Sequence, residues 1–291
     1  MLLNRIFCLF CVICLAAGAS QPVMAQVTRA EQRLSDELSA GLTQGTAVRL
    51  GEPEQAFLGI YQQAQGKKSH GGVILLHDIN NHADWPDTIA PLRQNLPHHG
   101  WHTLSIQLPA ISASQAAGED TTQWSDLEQE IQRRIQVAID YCHERRIFNI
   151  VLLGHQFGAL MAGRFVGNSA SNSGENKPVS ALVVLNLYSP VNRMWMDGAI
   201  NLELASNIKI AFLDIVPGQS GPHVLELAKQ RKAAMLQTGH DKYKQIHIIG
   251  TDYTFRGAES TLLSRIHSWL TKIAPSMEVQ MSPAQQPSAA Q

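Results

Sequence analysis

The spacing of apolar positions changes several times along the chain, and each change marks an element. Residues 6–17 are almost wholly apolar, with Arg5 before them and Val23-Met24-Ala25 after them. Residues 28–42 place apolar side chains at helical spacing among charges, which predicts an amphipathic helix. Residues 47–50 and 55–63 predict two strands of a leading hairpin, followed by a Gln65-Gly66-Lys67-Lys68 turn. Gly72-Val73-Ile74-Leu75-Leu76 is a continuous apolar run, as a strand covered on both faces requires. Further strands are predicted at 101–108, 149–153, 181–187, 208–215 and 246–250, separated by helical segments. One helix covers 89–99. Another starts at a Ser125/Glu128 capping box and sets Leu127, Ile131, Ile135, Ala138 and Cys142 on one face. A short helix of small residues spans 158–166, and the last helix carries a stripe of Leu262, Leu263, Ile266, Trp269, Leu270 and Ile273. Residues 168–177 form a polar loop, and the irregular segment 191–206 is placed over the sheet as a lid.

A hairpin followed by repeated strand–helix units predicts the α/β class: a doubly wound, mostly parallel sheet with helices on both faces. No repeat or linker divides residues 26–274, so they read as one domain. The chain has 291 residues, 44% of them apolar, enough for one large core. Its net charge of −1 removes the electrostatic reason to expect nucleic acid as a partner.

The first 25 residues have the order of a signal peptide: positive, apolar, then small-x-small before Gln26. The apolar run is shorter than the roughly 20 residues of a membrane span, so no stable span is expected after cleavage; an uncleaved anchor is the competing reading. Neither Phe10 before Cys11 nor Ile13 before Cys14 suits lipid attachment. Export to the periplasm is therefore expected. Cys8, Cys11 and Cys14 fall inside the leader, leaving Cys142 alone and unable to form an internal disulfide. Its place on an apolar stripe makes it a buried small hydrophobe. Residues 275–291 are rich in Pro, Gln, Ser and Ala and read as a flexible tail.

Gly154-His155-Gln156-Phe157-Gly158 follows an apolar strand and opens a helix. It resembles the nucleophile elbow Gly-x-Ser-x-Gly of the α/β-hydrolase superfamily, in the strand–turn–helix context that motif needs. Leu76-His77 resembles the loop that supplies part of the oxyanion hole. Asp84-Trp85-Pro86 and the closing Gly250-Thr251-Asp252-Tyr253 with Ser268-Trp269-Leu270 resemble a hydrolase-like family of exported bacterial proteins with no assigned substrate. Together these cover roughly residues 47–273. The resemblance implies an α/β-hydrolase fold.

The departures from that pattern bear on activity. Gln156 stands where the nucleophile belongs, and a carboxamide is neither nucleophile nor titratable base. Tyr253 stands where the family places its histidine, and a phenol of pKa about 10 is a poor proton shuttle at neutral pH. The loop 216–221, where the acid is normally carried, holds no carboxylate, and Asp214 within the preceding strand reads as structural. Asp78 replaces the glycine after His77, where a carboxylate opposes a developing oxyanion.

No catalytic residue, cofactor or metal is therefore expected. His82 and His155 near Asp78 and Asp84 lack metal-ligand spacing. Gly154 and Gly158 do not match a dinucleotide fingerprint. Ser220 lacks an evident base, His98-His99 suit a helix C-terminus, and 229–232 reads as a solvated helix face. The leading expectation is a periplasmic binding or interaction protein whose partner is a small molecule or a periplasmic protein. Its candidate pocket, outside the carboxyl ends of the strands, is walled by His77, Asp78, Trp85, His155, Gln156, Phe157 and Tyr253. The alternative is an esterase-like hydrolase with displaced catalytic residues.

Overall fold

The computed structural model describes residues 23–66, 69–111, 121–168, 178–187, 203–204 and 207–273. Most of the expected signal peptide, the expected 275–291 tail, most of the expected polar loop and most of the 191–206 segment lie outside these residues. Eight strands, β1 (Thr46–Leu50), β2 (Phe57–Gln62), β3 (Gly71–Leu76), β4 (Trp101–Ile106), β5 (Ile150–His155), β6 (Ala181–Leu185), β7 (Ala211–Pro217) and β8 (Tyr243–Ile248), form one sheet. Their order is β1-β2-β4-β3-β5-β6-β7-β8. The expected hairpin is present, with Thr46 opposite Tyr61 and Leu50 opposite Phe57. β2 and β4 are also antiparallel, and every later pairing is parallel.

Six α-helices flank the sheet among the described residues: α1 (Val23–Gly41), α2 (Ile89–Asn95), α3 (Thr121–Glu144), α4 (Phe157–Asn168), α5 (Pro222–Gln237) and α6 (Glu259–Ile273). Alternate residues of the central strands feed two cores. Ile74, Leu76, Leu152, Leu182 and Val184 pack with the α3 stripe of Leu127, Ile131, Ile135, Ala138 and Cys142. Val73, Leu75, Val151, Leu153, Val183 and Leu185 pack with Ile89 and Leu92 of α2 and with Leu262, Ile266, Trp269 and Leu270 of α6. Burial on both faces is why these strands are apolar without alternation. It also pushes the Cys142 thiol up to about 12, as its place on the stripe implies. No helix among the described residues is long and apolar enough to cross a membrane.

Several boundaries differ from expectation, each for a physical reason. α3 begins at Thr121, so Ser125 lies inside the helix, and buried Trp124 continues the apolar face one residue upstream of it. Glu128 instead pairs with Arg164 of α4 at 2.6 Å. The helix expected through residue 99 changes to a 3-10 turn at Leu96–His99, where Pro97 has no N–H to continue the α pattern. β8 starts three residues before the expected 246 and ends at Ile248; it is an edge strand whose exposed side chains hide it from a search for apolar runs. β7 is shifted toward its carboxyl end, since Ile208 and Ile210 are buried but precede the ladder.

The 229–232 segment is also not a uniformly solvated face. Arg231 is buried and meets Asp214 through two hydrogen bonds, of 2.8 and 3.0 Å. Tyr243 and Gln245 donate to the same carboxylate at 2.8 Å each. A buried acid in a central strand requires such partners, which confines Asp214 to a structural role.

Candidate functional site

The turn from β5 into α4 keeps the geometry of a nucleophile elbow. Gln156 sits at φ 49°, the left-handed region that non-glycine residues occupy at a cost of order 1–3 kcal/mol. Its N–H donates to the Leu185 carbonyl of β6 at 2.9 Å, and its own carbonyl accepts the Leu160 N–H at 3.0 Å. The flanking glycines are sterically required. A Cβ on Gly154 would lie 2.4 Å from the Ala159 backbone, and one on Gly158 would lie 2.4 Å from the Leu76 carbonyl oxygen. Sheet and helix thus hold position 156 where an esterase holds its serine, but the side chain is a buried carboxamide.

The loop leaving β3 shows what replaces the oxyanion site. In hydrolases of this fold the hole is formed by the N–H after the nucleophile and an N–H from the loop after β3. Here the Phe157 N–H donates to Asp78 Oδ1 at 3.0 Å, and the nearby Ile79 N–H also favours the charged carboxylate. The protein's own carboxylate occupies the first of these donors. Burial pushes the Asp78 carboxyl up to about 6, with the two N–H groups pulling the other way. His77 fixes this loop: its Nδ1–H donates to the Asp78 carbonyl at 2.6 Å, and its Nε2 accepts the Leu108 N–H at 2.9 Å. Desolvation holds that imidazole neutral, with its pKa pushed down to about 3. His77 is therefore a neutral brace between the β3 and β4 ends.

On the other side of Asp78 lies the loop after β8. Asp252 Oδ1 accepts both the N–H and the hydroxyl of Thr254, at 2.9 and 2.6 Å, which holds its carboxyl below the usual range. Arg256 grips Asp87 with three hydrogen bonds of 2.9–3.1 Å, and Thr88 donates to the Thr254 carbonyl. Tyr253 is half-exposed, and its carbonyl lies 2.7 Å from His155 Nε2. That contact makes Nε2 the protonated nitrogen and leaves Nδ1 as a bare acceptor, buried and without a partner. Burial pushes the His155 pKa down to about 4. The loop after β7 contributes Gln219 and no carboxylate.

The expected pocket residues divide between two cavities that meet at Asp78. Asp78, Trp85, His155 and Tyr253 line a cavity of about 640 Å³. His77, Asp78 and Phe157 line a smaller one of about 180 Å³, with Glu31 and Leu34 of α1. Gln156 lines neither, being covered at the base of the elbow. Two contributions were not foreseen. α1 closes the smaller cavity because Glu31 pairs with Arg134 of α3 at 2.5 Å. Asn186, at φ 49° after β6, is buried beside the elbow with its Oδ1 unpartnered. Asp84 faces away from metal chemistry, bound to Arg93 at 2.5 Å. Among the described residues no group of three or more His, Cys, Asp or Glu side chains could hold a metal ion. Ser220 Oγ is buried with no hydrogen-bond partner.

Solved structures share this fold. Est1E from Butyrivibrio proteoclasticus matches 80% of this chain and all of its own at 12% identity and a TM-score of 0.58. An esterase from Pyrococcus furiosus matches 79% of this chain and 93% of its own at 13% identity and a TM-score of 0.57. The dienelactone hydrolase of Anabaena variabilis matches 79% and 98% at 16% identity and a TM-score of 0.57. At such identities these likenesses establish the α/β-hydrolase fold alone. No curated protein sequence matches the chain. A family model matches residues 15–123 and 110–272, nearly the whole of the hydrolase-like region, and the chain belongs to that family, described as "Protein of unknown function (DUF3530)".

Proposed function

We propose that the protein is a non-catalytic member of the hydrolase fold that works in the periplasm by binding, through the former active-site cleft. The observation that carries this reading is the Asp78 carboxylate bonded to the Phe157 N–H at 3.0 Å. A hole already filled by an anion cannot stabilise a second one. Gln156 at the elbow and the absence of a carboxylate in the loop after β7 support the same conclusion. The competing reading, a hydrolase with displaced residues, draws on Asp78 itself. A carboxyl at about 6 inside a cleft is within the range of a general acid or base. Fluorophosphonate labelling and short-chain ester assays of the purified protein separate the two. The expected result is no labelled serine and no turnover. Stoichiometric labelling of one serine, abolished by its mutation, overturns the binding reading.

Export is part of the proposal: residues 1–25 form a leader, 26–274 the working domain and 275–291 a tail. Glu31, Leu34 and Leu38, which dock α1 on the domain, all lie downstream of the proposed cut after Ala25. Intact-mass measurement of periplasmic material should give a chain beginning at Gln26. A membrane-bound chain beginning at Met1 rejects the export proposal.

A further inference from the structure

The walls of the larger cavity are unbalanced in charge. Asp78, Asp87 and Asp252 face it with one basic side chain, Arg256, among the described lining residues. Arg256 is committed to Asp87 by three hydrogen bonds and acts on Asp252 only at longer range, which leaves Asp78 and Asp252 without an ion pair among the described residues. Asp78 accepts the Phe157 N–H, and Asp252 Oδ1 is taken by Thr254. His155 does not restore the balance, since burial keeps it neutral and its Nδ1 remains an unsatisfied acceptor at the wall. A buried acceptor without a partner calls for a donor.

The cavity also has aromatic walls. Trp85 and Tyr253 line it with the carboxylates, and Tyr253 is 53% exposed although nothing in the fold requires a large ring there. Aromatic faces beside uncompensated carboxylates favour an organic cation, which gains from ring quadrupole and charge together. The carboxylates do not converge as metal ligands do, and a volume of about 640 Å³ lies within the range of small-molecule sites. An anionic ligand would meet three carboxylates against a single guanidinium already bonded to one of them.

We propose that this cavity binds the ammonium group of a small organic molecule, primary or quaternary, between Asp78 and Asp252 and against Trp85 and Tyr253. The proposal rests on the binding reading given above and names its ligand class. Titration calorimetry of the mature protein with choline, n-butylamine, the uncharged tert-butyl isostere of choline and butyrate tests it. At least one of the two cations should bind about tenfold or more tightly than the isostere, with butyrate weakest. Trp85→Leu should weaken cation binding about tenfold. Asp252→Asn, which keeps the acceptor for Thr254, should weaken it severalfold. Failure of both cations, parity with the isostere, or indifference to both substitutions overturns the assignment. Fluorophosphonate labelling of the same preparation separates the failures. An unlabelled protein that ignores both cations removes only the ligand class, whereas a labelled serine removes the binding reading itself.

Discussion

In a Gln156→Ser, Tyr253→His background, the added change Asp78→Gly should accelerate fluorophosphonate labelling by roughly 10²-fold or more. The two restored side chains alone should leave the rate close to background. A hydroxyl at position 156 would be held by the elbow's backbone, which is already in place. The anion formed on attack would find one of its two N–H donors, that of Phe157, bonded to Asp78. Losing one such donor in an esterase-like site costs on the order of 10²–10³ in rate. The carboxylate adds repulsion: two like charges about 4 Å apart oppose each other by roughly 4 kcal/mol at an effective dielectric of 20. Removing the side chain relieves both effects at once. Equal labelling with and without Asp78, in folded variants, would show that the carboxylate does not govern the hole.

What the sequence disclosed, and what it withheld, divides by range. The elbow was legible because its glycines are forced by local contacts between β5, α4 and the end of β3. The α3 and α6 stripes were legible because helical spacing reports burial directly. Asp78 was seen to oppose an oxyanion, but its bond to Phe157 spans 79 residues and no local pattern announces it. The Glu31–Arg134 pair that brings α1 to the smaller cavity spans 103 residues and was hidden for the same reason.

Other signals were present but followed only in part. Asp214 inside an apolar strand demanded a buried cation, and Arg231 was available within a charged run. Asn186 lay inside a segment expected to be strand to residue 187, whereas the ladder stops at Leu185 and the Asn turns at positive φ. The division of the cleft into two cavities follows from Asp78 standing between them, a fact of tertiary packing alone.

Acid should destabilise the protein by roughly 3 kcal/mol between pH 6.5 and 4, and removing Asp78 should make that loss steeper. His77 and His155 are held neutral in the fold, down to about 3 and about 4 respectively. The unfolded chain binds protons at these sites near 6.5. On acidification the unfolded state is therefore protonated first, and the stability these residues contribute above 6.5 is lost as pH falls toward their native values. Burial shifts His82, His102, His240 and His267 in the same direction. Asp78 works against them. Its native pKa of about 6 lies above its unfolded value, so it adds stability as pH falls through 6 toward 4. Two histidines against one carboxyl leave a net loss across this window, large beside the 5–15 kcal/mol of a typical domain. Asp78→Asn removes the opposing contribution and should deepen the loss by roughly 2 kcal/mol. Urea unfolding at successive pH values provides the measurement, read as a slope so that any uniform effect of the substitution drops out. A flat profile from 6.5 to 4 would show that the two imidazoles are not held neutral. A shallower slope in Asp78→Asn would show that the carboxyl on the Phe157 N–H titrates below its unfolded value, not above it.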